Sequence, residues 1–123
     1  MKSRQQSGFT LIELVMVIVI LGILAVVAVP QFLDLRTEAQ AGATKGVAGA
    51  LASASAINFA GCSVSPSDAA KCKTVADCDD NIALLQGGTL TGYTVAGALP
   101  ACTVTGPTGA AENFQGIAAT FVP

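Results

Sequence analysis

Gly8-Phe9-Thr10-Leu11-Ile12-Glu13, followed by the apolar run Leu14 to Val29, decides how the rest of the chain is read. From Phe9 to Val29 the segment has 21 residues. That is enough to cross a hydrocarbon core of about 30 Å as a helix rising about 1.5 Å per residue. The run itself holds no charge, yet a carboxylate, Glu13, stands at its head. An acidic side chain costs roughly 2.5 kcal/mol or more near the centre of a bilayer and less towards an edge. A plain signal anchor would let Glu13 snorkel to the interface, but it has no use for Glu there. The residue calls for a partner and a purpose.

Working outward, 123 residues make one domain plus this membrane segment rather than two folded domains. Apolar residues are 52 % of the chain, and they are concentrated in its first quarter. The net charge of −2 hides an asymmetry: Lys2 and Arg4 precede the run, while the remainder carries four basic and eight acidic residues. No polybasic surface or nucleic-acid-binding motif is visible, so no nucleic-acid partner is expected. The chain has neither His nor Trp. Without His, the usual general base and the commonest metal ligand are missing, and an enzyme is a poor expectation.

Met1 to Gly8 is short, polar and basic, and the small residue comes before the apolar run instead of after it. A secretory signal has the opposite order. Cleavage between Gly8 and Phe9 would therefore leave the hydrophobic segment in the mature chain, with Phe9 as its N-terminus. The basic flank stays cytoplasmic, so the cut falls at that face and the C-terminal body is exported.

The pattern Lys-x-x-x-x-x-Gly-Phe-Thr-Leu-Ile-Glu-Leu before an apolar run resembles the type III signal of type IV prepilins, over residues 1–30. Pro30-Gln31-Phe32-Leu33-Asp34-Leu35, Lys45-Gly46-Val47 and Ser53-Ala54-Ser55-Ala56 are loosely similar to pilins of the mannose-sensitive haemagglutinin type. The resemblance implies that a prepilin peptidase cuts after Gly8 and N-methylates Phe9. Methylation leaves the amine cationic, and Glu13 lies four residues on, one helical turn away. The amine can neutralise Glu13 in its own chain or on a neighbour. In the second case the buried pair acts as a register device for entry into a filament.

Apolar residues continue past membrane length. Leu33, Leu35, Ala39, Ala43, Val47, Ala50, Ala54 and Ile57 recur mostly at three- and four-residue intervals, which predicts one face of a helix. A helix from about Phe9 to Phe59 would extend about 75 Å. Gly22 and Pro30 interrupt it, and an internal proline costs roughly 3 kcal/mol. Pro30 matches a proline common in the resembled family, implying a kink that unwinds locally when subunits pack. Gly42, Gly46 and Gly49 are expected to let a sheet pack closely.

Ala60-Gly61 reads as the helix end, and Cys62 to Lys73 as loop. Thr74 reads as the N-cap of a short helix through about Gln86, with Asp77, Asp79 and Asp80 in its first turns. Tyr93-Thr94-Val95, Cys102-Thr103-Val104 and Ile117 to Val122 read as strands of an antiparallel meander. So small a body needs staples, and Cys62, Cys72, Cys78 and Cys102 can form two disulfides in an oxidising compartment. Three connectivities are open. The pairing taken here is Cys62–Cys72, closing the loop at the helix end, with Cys78–Cys102 tying the short helix to the sheet. No cofactor and no metal is expected: zinc lacks a C-x₂-C pair, and the aspartates suit a solvated helix start better than Ca²⁺.

The expected fold class is α+β, a long N-terminal helix packed on a small disulfide-stapled antiparallel sheet. Its parts are a cleaved leader (1–8), a transmembrane and assembly helix (9–30), an amphipathic helical half (31–60) and a body (61–123). The resemblance implies a structural subunit of a type IV pilus, a homopolymer serving adhesion or surface motility. Its partners would be the prepilin peptidase and N-methylase, the inner-membrane assembly machinery and, before assembly, membrane lipid. The chain would pass once through the inner membrane with its C-terminus in the periplasm, and then enter an extracellular filament. The alternatives are a pseudopilin of a type II secretion system, whose major subunit usually has a calcium loop and no disulfides, and a minor or competence pilin. The body offers only Lys71 and Lys73 for DNA, and the helix has too few aromatics for an electron-conducting fibre.

Overall fold

A computed structural model describes residues 8–123, with the backbone alone at Leu33 and Asp34. Lys2, Arg4 and the rest of the leader up to Ser7 lie outside the described residues. The chain divides into two compact units at Arg36 and Thr37. The elements, in order, are helix α1 (Leu11–Val64), a 3-10 helix (Asp79–Leu84), and strands β1 (Thr94–Ala98), β2 (Ala101–Thr105) and β3 (Ala111–Gln115). The fold class is α+β, with a long N-terminal helix, a small antiparallel sheet and two disulfides.

In the first unit, α1 is helical through both Gly22 and Pro30. The single chain is not unwound there. Every side chain from Leu11 to Val29 is exposed.

In the second unit the sheet has the order β1-β2-β3, with both pairings antiparallel. Val95 faces Val104, and Cys102 faces Phe114, on the inner side. These four side chains join Ala48 and Leu51 of α1 and Cys78 in one buried cluster. Leu51 and Val104 are fully buried. Truncating such a leucine to alanine typically costs about 2–5 kcal/mol.

The face of α1 that meets the body differs from the one the apolar periodicity selects. The buried positions are Thr44, Ala48, Leu51, Ser55 and Asn58, spaced by four and three residues, and three of the five are polar. Ser55 and Asn58 serve backbone groups of the body outside the helix. Ser55 Oγ accepts the Ile117 N–H at 2.7 Å. Asn58 Nδ2 donates to the Lys73 carbonyl at 2.8 Å, and Asn58 Oδ1 accepts the Lys73 N–H at 2.8 Å. Thr44 donates to the Gln40 carbonyl and lies where a side chain on Gly106 would stand. Ala39, Ala43, Ala50 and Ile57 stay exposed, Ile57 at 73 %. Gly42, Gly46 and Gly49 have nothing near the position of a Cβ, so they do not admit the sheet.

The helix also runs past Gly61 to Val64. Gly61 is present for a different reason than termination: a Cβ there would collide with the Lys71 carbonyl of the returning loop. The helix predicted from Thr74 to Gln86 shrinks to the six residues Asp79–Leu84. Its first turns are diverted because Val75 pairs with Ala119 in an antiparallel bridge, and the Thr74 hydroxyl accepts the Phe121 N–H. Asp80 then accepts the Ala76 and Asp77 N–H groups at 2.8 and 3.0 Å, donors that a helix capped at Thr74 would also have left without a backbone acceptor. Those two donors hold the Asp80 carboxyl below the usual carboxylate range.

The third strand is Ala111–Gln115, not Ile117 to Val122. The latter stretch contributes one bridge and lies along the Cys62–Lys73 loop, where the Val122 N–H donates to the Pro66 carbonyl.

Asn58→Ala removes two bonds and strands both Lys73 backbone groups, and should cost about 2 kcal/mol. Urea unfolding of the full chain in detergent, followed through Tyr93 fluorescence, measures this. A midpoint equal to the wild type would show that the clamp contributes nothing.

Candidate functional site

The residues at the head of α1 are arranged by the start of the helix. Gly8, Phe9 and Thr10 precede it in non-helical conformation, and all three are exposed, Phe9 at 91 %. Among the described residues, and apart from its immediate chain neighbours, no atom lies within 4 Å of the position a Gly8 Cβ would take.

Glu13 finds its partner three residues back. The Thr10 N–H and hydroxyl both donate to Glu13 Oε2, at 2.9 and 3.0 Å. The Glu13 N–H approaches the Thr10 hydroxyl oxygen at 3.4 Å. This is a reciprocal capping box: the N-cap side chain takes a free N–H of the first turn, and the acid at the third helical position returns to the N-cap N–H. The signal was present in the sequence as Thr10-Leu11-Ile12-Glu13 before an apolar run, and reading Glu13 for its charge alone passes over it. With Thr10 as the cap, Phe9 lies outside the helix and is not the i, i+4 neighbour of Glu13 on one helical face.

Behind this cap, the most apolar 18-residue window of α1 has a mean hydropathy of 3.1, and none of it is buried within the chain. By length and composition it can cross a membrane. Gly22 and Pro30 both lie inside the helix, well removed in sequence from Glu13.

The cysteines form a separate constellation in the body. Cys62 is bonded to Cys72 and Cys78 to Cys102, and no described cysteine is free. The first bridge closes the loop beside the Asn58 clamp. The second ties the start of the 3-10 helix to β2. Asp77 and Asp79 are exposed, while Asp80 is occupied by backbone donors. Among the described residues no group of three or more His, Cys, Asp or Glu side chains is placed to hold a metal.

Comparison with known proteins bears on the same segment. The prokaryotic N-terminal methylation motif matches residues 3–29. The type IV narrow pilus major component of Thermus thermophilus is 40 % identical over 88 residues, covering 72 % of this chain and 67 % of that protein. The chain belongs to the family of type IV pilin-like prepilins. The type II secretion system core protein G of Pseudomonas aeruginosa is 52 % identical over 54 residues, 44 % of this prepilin and 38 % of that protein. A fimbrial protein of Pseudomonas aeruginosa is 51 % identical over 37 residues, 30 % of this prepilin and 24 % of its own length. The prepilin thus spans from a quarter to two thirds of these relatives. No solved structure matches it.

If the Gly8–Phe9 bond is the one cut, as the sequence leads one to expect, replacing Gly8 by leucine should place a branched side chain beside it and stop cleavage. Intact-mass measurement of membranes would then find the chain beginning at Met1. A processed chain beginning at Phe9 would show that Gly8 is not required.

Proposed function

We propose that this prepilin is the structural subunit of a type IV pilus, polymerising through α1 into an extracellular filament that serves adhesion or surface motility. On this reading the peptidase cuts after Gly8 and methylates Phe9 at the cytoplasmic face. The processed chain waits in the inner membrane with its body in the periplasm, and the assembly machinery lifts it into the fibre. It catalyses no reaction.

The observation that carries this reading is the division of the helix surface between Ala39 and Ile57. One face, from Thr44 to Asn58, is consumed by the body. The other presents Ala39, Ala43, Gly46, Ala50 and Ile57, uncharged and mostly small, to the outside. Such a surface gains nothing in water, whereas small residues let two helices approach closely and accumulate dispersion contacts. Together with the exposed run Leu11 to Val29, it gives the helix apolar surface for neighbours along much of its length.

A pseudopilin of a type II secretion system is the second reading, favoured by the 52 % identity to core protein G. Two features support the pilus instead. The similarity to the narrow pilus major component extends over 88 residues against 54. The body is also closed by two disulfides, whereas the resemblance drawn from the sequence implies that a pseudopilin's major subunit usually has none.

Intact-mass analysis of unreduced filaments sheared from cells tests the choice. A pilus subunit is found there in abundance, starting at N-methylated Phe9 and lighter by four hydrogens than the all-thiol chain, as two bridges require. Processed chain confined to the envelope would favour the pseudopilin.

Glu13→Ala should be cut after Gly8 yet yield few or no filaments; normal fibres from it would end the charge-register account. Ala50→Gln should leave the unfolding midpoint of the single chain within about 0.5 kcal/mol of wild type. It should nevertheless reduce filament yield, because a long side chain holds the helices apart. Unchanged yield would place that face on the outside of the fibre.

A further inference from the structure

Resting on the filament reading above, we propose that the free edge of β3 is a docking surface for β3 of a second copy, and that this pairing joins two fibres lying antiparallel. The groups that the edge offers follow from the bonds of the sheet. The Gly106 N–H donates to the Ala110 carbonyl at 2.8 Å, and the Gly116 N–H to the Pro100 carbonyl at 3.0 Å. Both contacts continue the register of β2 on β3. Hydrogen-bonded pairs alternate along an antiparallel ladder, so Glu112 and Phe114 also turn their backbone groups towards β2. Ala111, Asn113 and Gln115 turn theirs outward, and among the described residues no other hydrogen bond reaches those groups.

The other edge of the sheet is different. The 3-10 helix lies against β1, and Gly97 departs from strand geometry at φ 113°. Edges are commonly blunted by proline, lysine or a bulge, and β3 has none of these. Its one charge, Glu112, is half-buried on the inner face. That charge selects the register of self-pairing. Outward residues must oppose outward residues, which leaves pairings centred on 112, 113 or 114. Centring on Glu112 sets two carboxylates directly opposite each other. Centring on Phe114 leaves Ala111 with no partner inside the strand. Centring on Asn113 opposes Asn113 to itself and Ala111 to Gln115 twice, which makes about six hydrogen bonds and puts Phe114 across from Glu112.

The two-fold axis of this pairing is normal to the sheet and reverses every direction within it. Residues 37–64 of α1 pack along the inner face through Ala48 and Leu51, so the two helices run in opposite directions. Leu51 shares the core with Val104 of the central strand. The two central strands would stand about 14 Å apart, three strand spacings, which exceeds the interaxial distance of about 8–10 Å for packed helices. Both helices therefore fit. Chains drawn from one membrane in one orientation enter a fibre with α1 pointing one way, so the contact cannot form within a fibre. It forms between fibres of opposite direction, where repetition along both turns a weak contact into a lasting one.

The test uses filaments of the full-length chain sheared from cells. Filaments carrying Asn113→Cys are grown separately on light and heavy isotopes, mixed and mildly oxidised. Opposed hydrogen-bonded residues have Cα atoms about 5.5 Å apart, within disulfide reach. Each fibre is uniform in label, so light–heavy dimers bridged at position 113 are the expected product. In parallel, low-speed sedimentation measures the bundled fraction of wild-type, Asn113→Lys, Asn113→Glu and Thr94→Lys filaments, with total filament yield scored separately. Asn113→Lys and Asn113→Glu should each lower the bundled fraction about tenfold, through like charges opposed at every contact. Mixing the two should bring it back within about twofold of wild type. Thr94→Lys, exposed on the far strand, should leave it unchanged.

Dimers of a single label only, or bundling indifferent to charge at position 113, would overturn this inference and leave the filament reading standing. So would a loss in both charged variants that mixing does not repair. Absence of filaments from wild-type cells would overturn both.

Discussion

An ionised carboxylate at the head of an uncharged apolar helix is the constraint from which the rest follows. Water satisfies Glu13 while the helix end stays at an interface. Once apolar segments pack against each other that solvent is gone, and the desolvated charge must be met by hydrogen bonds or a counter-charge. The Thr10 cap supplies two hydrogen bonds but no charge. On the proposed reading neutralisation is left to an amine, and cleavage after Gly8 would create one at Phe9. Processing and assembly would then be coupled by electrostatics, because an uncut chain would lack the Phe9 ammonium that makes burial of Glu13 tolerable.

The body solves a separate problem, that of remaining fixed on a helix whose outer surface stays exposed. A body held on by hydrophobic burial alone would need a broad apolar stripe. This one is held by Leu51 and Ala48 together with Ser55 and Asn58, which reach out to the backbone of Ile117 and Lys73. Hydrogen bonds to buried backbone are directional, so they fix register as well as attachment, and their loss leaves unpaired groups that water cannot reach. The disulfides act on the same segments. Cys62–Cys72 closes the loop that Asn58 clamps, and Cys78–Cys102 joins the 3-10 helix to β2. Bond and clamp thus limit how far the returning chain can drift from the helix.

The long helix, the α+β class and the disulfide-stapled body were legible in the sequence, because a 21-residue apolar run and four cysteines in an otherwise small body allow few other readings. The docking face of the helix was hidden. Hydropathy period detects burial by water exclusion, whereas Thr44, Ser55 and Asn58 are buried through polar atoms. Strand β3 was hidden similarly, since Ala111-Glu112-Asn113-Phe114-Gln115 has one large apolar side chain, Phe114, on its inner face. Its neighbour Ile117 to Val122 has stronger β composition but is drawn away by partners remote in sequence, Val75 and Pro66. The capping box was legible in principle. It was missed because a residue that serves charge and backbone together yields only the first when read for charge.

These points bear on how far stability and assembly can vary independently. The body is secured by Thr44 to Asn58 and by the bridges, while the outward residues Ala39, Ala43, Gly46, Ala50 and Ile57 make no comparable contribution to the single chain. A substitution on the outward face therefore changes packing between copies at little cost to the fold. A substitution on the inward face first loosens the body and reaches the filament only through it. Glu13 belongs to neither class. The single chain already satisfies its hydrogen bonds, so only the removal of water by neighbours makes its charge consequential. On the proposed reading, a group that is tolerated alone but demanding in company would favour the one packed arrangement that meets the demand, and a single carboxylate would thereby select a register in an interface otherwise made of interchangeable methyl groups.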